Sequence, residues 1–289
     1  MDKKKILIVG GNGFVGSNLA RDLARDHRVT CTWRTSVDRI PGVEYHQFAL
    51  FHDKEKCTAI AQSIEPDVVI YAAGSNDPVK CEKDPILTQH THLTGANHML
   101  IASDYVKAKY IYLSSDWVFS GMEGNFSESD TAIPSYGLGK NKLSAENYIR
   151  SRSLNHVIIR CAPLLGRGNI DHPSWLDQLR DSEISGQHRG YPQHSFHNPV
   201  HIGELSKLIH RIIENDVRNK TLHLGGLTKI SLYDLATRFL AGFDYHAKPL
   251  PSSTPASDVV IQDFSLNFSQ TLRLLKTEPL FLEQSLDLL

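Results

Sequence analysis

A net charge, a long apolar run and a paired set of cysteines are all missing from this 289-residue chain. Lys+Arg 31 against Asp+Glu 32 leave a formal charge of -1, and nothing there suggests nucleic acid or an anionic membrane as the main partner. No segment approaches the roughly 18 apolar residues of a membrane span. The run Ile6-Leu7-Ile8-Val9 is too short for a secretory leader, and glycines rather than a cleavage site follow it. Cys31, Cys57, Cys81 and Cys161 stand far apart and form no C-x-x-C, so free thiols in a reduced, cytoplasmic protein are expected. Internal repeats and low-complexity tracts are absent too.

What is present is alternation. Ile6 to Val9 reads as a buried parallel strand, and Phe14 to Asp26 carries apolar residues at helical spacing. Strands follow at Arg28 to Trp33, Val43 to Phe48, Val68 to Tyr71, Tyr110 to Leu113 and Val157 to Ile159. Helices fall between them, over Lys54 to Ile64, Asp84 to Lys107 and Tyr136 to Arg150. This rhythm predicts an α/β fold with a Rossmann-type, doubly wound parallel sheet. After Arg160 the rhythm weakens. Residues 1–160 are therefore expected to form the cofactor domain, and 161–289 a smaller, interleaved substrate lobe. Helices are expected there near Ile202 to Asn215, Ser231 to Gly242 and Ser269 to Leu275, with another closing the chain.

Between the first strand and first helix stands Val9-Gly10-Gly11-Asn12-Gly13-Phe14-Val15-Gly16. Glycines at this place allow a tight turn, close approach of backbone to a pyrophosphate and close helix–strand packing. The helix N-terminus then offers N–H groups to phosphates. A dinucleotide is expected here, held by Gly10, Gly13, Phe14 and Val15, with Ala72, Ala73 and Gly74 after the fourth strand. The second strand ends Thr32-Trp33-Arg34-Thr35-Ser36, with no acid before Asp38. An acid there would suit NAD, whereas Arg34, helped by Thr35 or Ser36, suits the 2′-phosphate of NADP. NADP(H) is preferred on this ground, with NAD(H) also admitted.

The fifth strand ends Leu113-Ser114-Ser115-Asp116, where open α/β sheets gather their catalytic groups. Tyr136 and Lys140 lie four apart in Tyr-Gly-Leu-Gly-Lys, a spacing that places them on one helical face and lets the ammonium approach the phenol. A nearby cation lowers a phenol's pKa from about 10 toward the working range of an acid.

With these motifs in place, the chain resembles the dTDP-4-dehydrorhamnose reductase branch of the extended short-chain dehydrogenases/reductases. The similarity runs through the glycine turn, PDVVIYAAGSND, LSSDWVFSG, AIPSYGLGK, VIIRCAPLLGRG, NPVHIGELSKLI and the carboxyl-terminal FSLNFSQTLRLLKTEPLFLEQSL. It implies Ser115 as the family's Ser/Thr, Tyr136 as the acid and Lys140 as the cation that also holds the nicotinamide ribose. It further implies hydride transfer to a keto carbon of a nucleotide-linked sugar, and the two long helices could pair across a homodimer. The same fold admits an NAD-dependent nucleotide-sugar epimerase or dehydratase. It also admits a non-catalytic protein like the methionine adenosyltransferase regulatory subunit, which resembles the same branch.

Several positions depart from the family pattern. His92 stands for the usual Asn, Trp117 for a common tyrosine, and Ala49 for an acid after the third strand; an Arg-Pro pair is missing around Ser257 to Phe264. The histidines lack metal-site spacing and are expected in loops and at the surface. No metal is expected, and the acidic residues Glu123, Glu128 and Asp130 read as a solvated loop. Arg160 and Arg167 could face a substrate diphosphate or be structural.

Overall fold

A computed structural model describes residues 3–35, 38–48, 53–187, 190–242, 249–251, 260–276 and 278–289. Ser36, Ala49, His188 and residues 257–259 of the missing Arg-Pro region lie outside them. Six strands of the central sheet come from residues 5–161. They are β1 (Lys5–Val9), β2 (Arg28–Trp33), β3 (Val43–Gln47), β4 (Val68–Tyr71), β5 (Lys109–Ser115) and β6 (His156–Cys161). A seventh, Lys220–Leu224, comes from the second half and lies parallel to β6. The order runs from the seventh strand through β6, β5, β4, β1 and β2 to β3, and each neighbouring pair is parallel. The chain reverses direction of winding at β1, which opens a crevice at the carboxyl ends of the strands.

Each face of the sheet is covered, so its strands are apolar on both sides rather than alternating. One face packs α1 (Phe14–Leu23) and a later helix, Ile202–Glu214, through Leu19, Leu23, Leu205 and Ile209. The other packs α2 (Lys54–Ile64), α5 (Ala96–Tyr105) and α6 (Gly137–Arg152) through Ala61, Met99, Ala145 and Ile149. The helix and strand between 202 and 224 thus complete the same sheet, because one edge of β6 would otherwise lack a partner.

The single helix expected over Asp84 to Lys107 is broken. α3 (Pro78–Lys83) is capped by Asp77 and α4 (Pro85–Gln89) by Asp84, each with proline in its first turn. A π-helical turn, His90–Gly95, then leads into α5. Wider winding in such a turn leaves carbonyls short of partners. Buried tyrosines of the neighbouring strands supply them. Tyr71 donates to the Thr91 carbonyl at 2.6 Å, Tyr112 to that of His92 at 3.1 Å, and Tyr110 to that of Ala96 at 2.9 Å.

Between 166 and 201, where periodicity is weak, the chain forms the helix Trp175–Ile184. Ser174 and Asp177 cap it reciprocally, with Leu176 and Leu179 turned inward. The outer lobe also contains a small sheet in which Ser195–His197 is flanked by Ile230–Ser231 and Gln262–Asp263. Leu232–Ala241, Ser269–Leu275 and Leu282–Asp287 are its remaining helices among the described residues.

Candidate active site

The glycine turn is pinned from β2: Thr32 Oγ1 accepts from Gly10 N at 3.0 Å, and the Thr32 carbonyl accepts from Gly11 N at 2.9 Å. Three of its glycines are required by the protein's own packing. A Cβ on Gly10, whose φ is +82°, would lie 2.7 Å from Ala73 Cα. One on Gly11 would lie 2.3 Å from Cys31 Cβ, and one on Gly16 2.2 Å from the Gly10 carbonyl oxygen. Gly13 differs, because its Cβ would meet nothing nearer than the Gly10 oxygen at 3.4 Å. Gly13 caps α1 without any side-chain bond, so the helix N-terminus is bare of a capping side chain. An open glycine beside an uncapped helix end fits a phosphate group. Phe14 and Val15 form the first helical turn, half-buried, and Arg34 is exposed just beyond β2.

Ala72 and Ala73 follow β4, with the Ala72 N–H bonded to the Val9 carbonyl at 2.9 Å. Gly74 comes next with φ +112°, pressed against the His92 ring. His92 is buried, its Nε2 2.9 Å from the Ser75 carbonyl while Nδ1 has no partner among the described residues. Burial, reinforced by the Lys142 charge, lowers its pKa to about 3, so the ring is neutral at pH 7. A neutral ring with a carbonyl at Nε2 carries its hydrogen there.

Ser115 closes β5 at its carboxyl end. Ser115 donates to Asp116 Oδ1 at 2.8 Å, and Asp116 Oδ2 lies 2.6 Å from His197 Nδ1. The Tyr136 ring meets Trp117 edge-on at 5.0 Å, and its hydroxyl donates to Gln262 Oε1 at 3.0 Å. Trp117 also packs on Phe264 at 4.5 Å and His197 at 5.3 Å. Both hydroxyls are therefore bonded, directly or through Asp116, to the small sheet of the outer lobe.

Two readings need correction, the shared helical face of Tyr136 and Lys140 and the surface placing of the histidines. Tyr136 lies outside the helix: its φ of −106° and ψ of 152° make it the N-cap of α6, and Lys140 N–H donates to its carbonyl at 3.0 Å. The shared helical face is lost because a capping residue is extended. The Lys140 side chain is exposed and has no bonded partner among the described residues. Ser114, next to Ser115, is committed to Glu146 at 2.6 Å. Arg160 is buried and structural: it pairs with Glu146 at 2.8 Å and lies over the Phe119 ring at 5.0 Å. The histidines are not confined to loops and surface, since His92, His197 and His223 are all buried.

Sequence reading missed Asp116, His197 and Gln262. Asp116 was visible as the residue after Ser115, but its partner lies 81 positions away. It also missed Lys142, which donates to the Leu113 carbonyl at 2.9 Å and whose pKa burial lowers to about 8.

A family model for the RmlD substrate binding domain matches residues 4–261. The chain belongs to that family. It is thereby a member of the dTDP-4-dehydrorhamnose reductase-like branch of extended short-chain dehydrogenases/reductases. Methionine adenosyltransferase 2 subunit beta of Rattus norvegicus is 21% identical over 260 residues, covering 86% of this chain and 76% of that one. The dTDP-4-dehydrorhamnose reductase of Salmonella typhimurium is 27% identical over 169 residues, 57% of this chain and 53% of that enzyme. The structure of a dTDP-4-dehydrorhamnose reductase from Bacillus anthracis in complex with NADP superposes with a TM-score of 0.82, covering 99% of this chain and 98% of that one at 20% identity. Among the described residues, no helix is long and apolar enough to cross a membrane.

Proposed function

We propose that this protein reduces a nucleotide-linked 4-keto sugar with NADPH. The observation that carries the reading is the placement of the Tyr136 hydroxyl. The residue is half-buried, edge-on to Trp117 and bonded to Gln262, at the same carboxyl end of the sheet as a glycine turn whose Gly13 is left bare. When bound, the nicotinamide supplies the hydride. The protein's own residues do the rest.

Gly10, Gly13, Phe14 and Val15 would hold the pyrophosphate on the α1 N-terminus, and Arg34 the 2′-phosphate. Ala72, Ala73 and Gly74 would line the dinucleotide's path past β4. Tyr136 would exchange its bond to Gln262 for the substrate carbonyl oxygen and transfer its proton there. Lys140, one turn into α6, has the length to swing toward the phenol and the ribose. With its hydroxyl already donated to Asp116, Ser115 would accept a bond from a sugar hydroxyl next to the carbonyl.

The regulatory reading has one specific support, the match to the methionine adenosyltransferase beta subunit over 86% of the chain. Following NADPH absorbance with dTDP-4-dehydrorhamnose as the probe separates the two. Oxidation that depends on both components supports the reductase. Tight NADPH binding without oxidation, across a panel of nucleotide-linked 4-keto sugars, supports regulation.

A further inference from the structure

Asp116 is 1% exposed, and its carboxylate gathers two donors from opposite sides. Ser115 Oγ donates to Oδ1 at 2.8 Å, and His197 Nδ1 lies 2.6 Å from Oδ2. A carboxylate only accepts, so Nδ1 carries the hydrogen. His197 Nε2 faces the Ser195 hydroxyl at 3.2 Å. Donation thus runs from His197 into Asp116, and Ser115 meets it from the other side. The His197 ring has little freedom to leave this line, because Phe264 stacks on it at 5.2 Å and 14° and Trp117 packs against it at 5.3 Å.

We infer that His197 is a positioning residue: acting through Asp116, it sets the direction of the Ser115 hydroxyl and makes Ser115 an acceptor toward the substrate. The second donor fixes the carboxylate plane, and a fixed plane leaves Ser115 one place for its proton. Without His197, the carboxylate can turn, and the Ser115 hydroxyl with it. Because His197 stands on the small sheet of the outer lobe, the placing of that lobe becomes part of the site's geometry. Gln262, which faces Ser195 in the same sheet, holds the Tyr136 hydroxyl in parallel fashion. The catalytic consequence rests on the reductase reading; the link between His197 and Ser115 does not.

Two conservative variants separate positioning from packing. Asparagine places an amide N–H close to where Nδ1 stands, whereas glutamine places its donor near Nε2 and leaves Oδ2 of Asp116 without one. In urea unfolding, the midpoint shift of Ser115→Ala combined with His197→Gln should differ from the sum of the two single shifts, since both act on one carboxylate. With His197→Asn the single shift should be small and the coupling to Ser115 retained. This arm needs no turnover, and additive shifts would overturn the link whatever the protein catalyses. In NADPH oxidation with dTDP-4-dehydrorhamnose, His197→Gln should lower kcat by about 10- to 100-fold, the scale of a small misplacement at a reacting centre. KM for NADPH should stay within about twofold and His197→Asn should recover most of kcat, as expected of an interaction made in the transition state. Equal losses in both variants, or an unchanged kcat in His197→Gln, would overturn the positioning role. A wild type that oxidises no NADPH would sink the reductase reading alone and leave the urea arm to decide the link.

Discussion

Gly74 and His92 share one small volume: a Cβ on Gly74 would lie 2.3 Å from His92 Cε1. The glycine's φ of +112° forbids most side chains on its own account, and the ring removes the remaining room. His92 is held in turn by the π-helical turn, by the Ser75 carbonyl and by the strands beneath it. The loop that carries Ala72, Ala73 and Gly74 is therefore shaped by His92. Gly74→Ala is expected to destabilise the protein by about 2–4 kcal/mol, from strain plus overpacking. His92→Asn in the same molecule should relieve the overpacking part only. Urea unfolding of the single and double variants measures both, and a Gly74→Ala protein as stable as wild type would show that the loop yields.

Gly11 and Gly13 should respond differently to alanine. Gly11→Ala places a methyl group against Cys31 and should lower stability by about 1–3 kcal/mol, as overpacking does. Gly13→Ala meets no close protein atom, so thermal stability without ligand should hardly change. Its NADPH affinity should fall at least about tenfold if phosphate approaches that backbone. Calorimetric titration and a melting curve on each variant give the two readouts. Undiminished affinity in Gly13→Ala would remove the turn from the cofactor site.

Arg34→Ala should narrow the preference for NADPH over NADH without altering the melting temperature, because the residue is exposed beyond the end of β2. Fluorescence titration with both cofactors tests this. A preference that is unchanged, or absent from the wild type, would take Arg34 out of the cofactor reading.

Tyr136→Phe should abolish turnover while leaving NADPH affinity nearly unchanged. The variant loses one half-buried hydrogen bond to Gln262, worth about 1 kcal/mol, so it should fold normally. Surviving turnover would mean that the proton comes from another group.

Stability should fall with acid. Burial lowers His92 to about 3 and His223 to about 4, whereas an unfolded histidine titrates near 6.5. Between those values the unfolded chain binds more protons than the folded one, so stability rises with pH across that window. Each contribution is fully present above about 6.5 and shrinks as pH falls toward the folded values. Urea midpoints should therefore drop between pH 6.5 and 4.5, and His92→Asn should flatten the slope. An identical slope in that variant would mean that His92 is not buried as a neutral ring.

The sheet was legible because its causes are local. Apolar runs such as Ile6 to Val9, helical spacing in Val15, Leu19 and Leu23, and glycines at one strand end each act within a few residues. The place of Ser115 at the carboxyl end of a strand followed from the apolar run that precedes it. Trp175–Ile184 had a local signal that went unread, a Ser-x-x-Asp cap before inward leucines. Other features had none. The strand Lys220–Leu224 joins the sheet only because β6 has an open edge, and no periodicity announces that. The π-helical turn depends on tyrosines from β4 and β5 to satisfy its carbonyls. Asp116 and His197, or Tyr136 and Gln262, meet across 81 and 126 residues of chain. Composition and spacing decide which segments are strands, helices and turns, because those preferences are settled within one or two turns of backbone. Which hydroxyl donates to which partner is settled by packing the outer lobe on the sheet, and only the folded molecule carries out that packing.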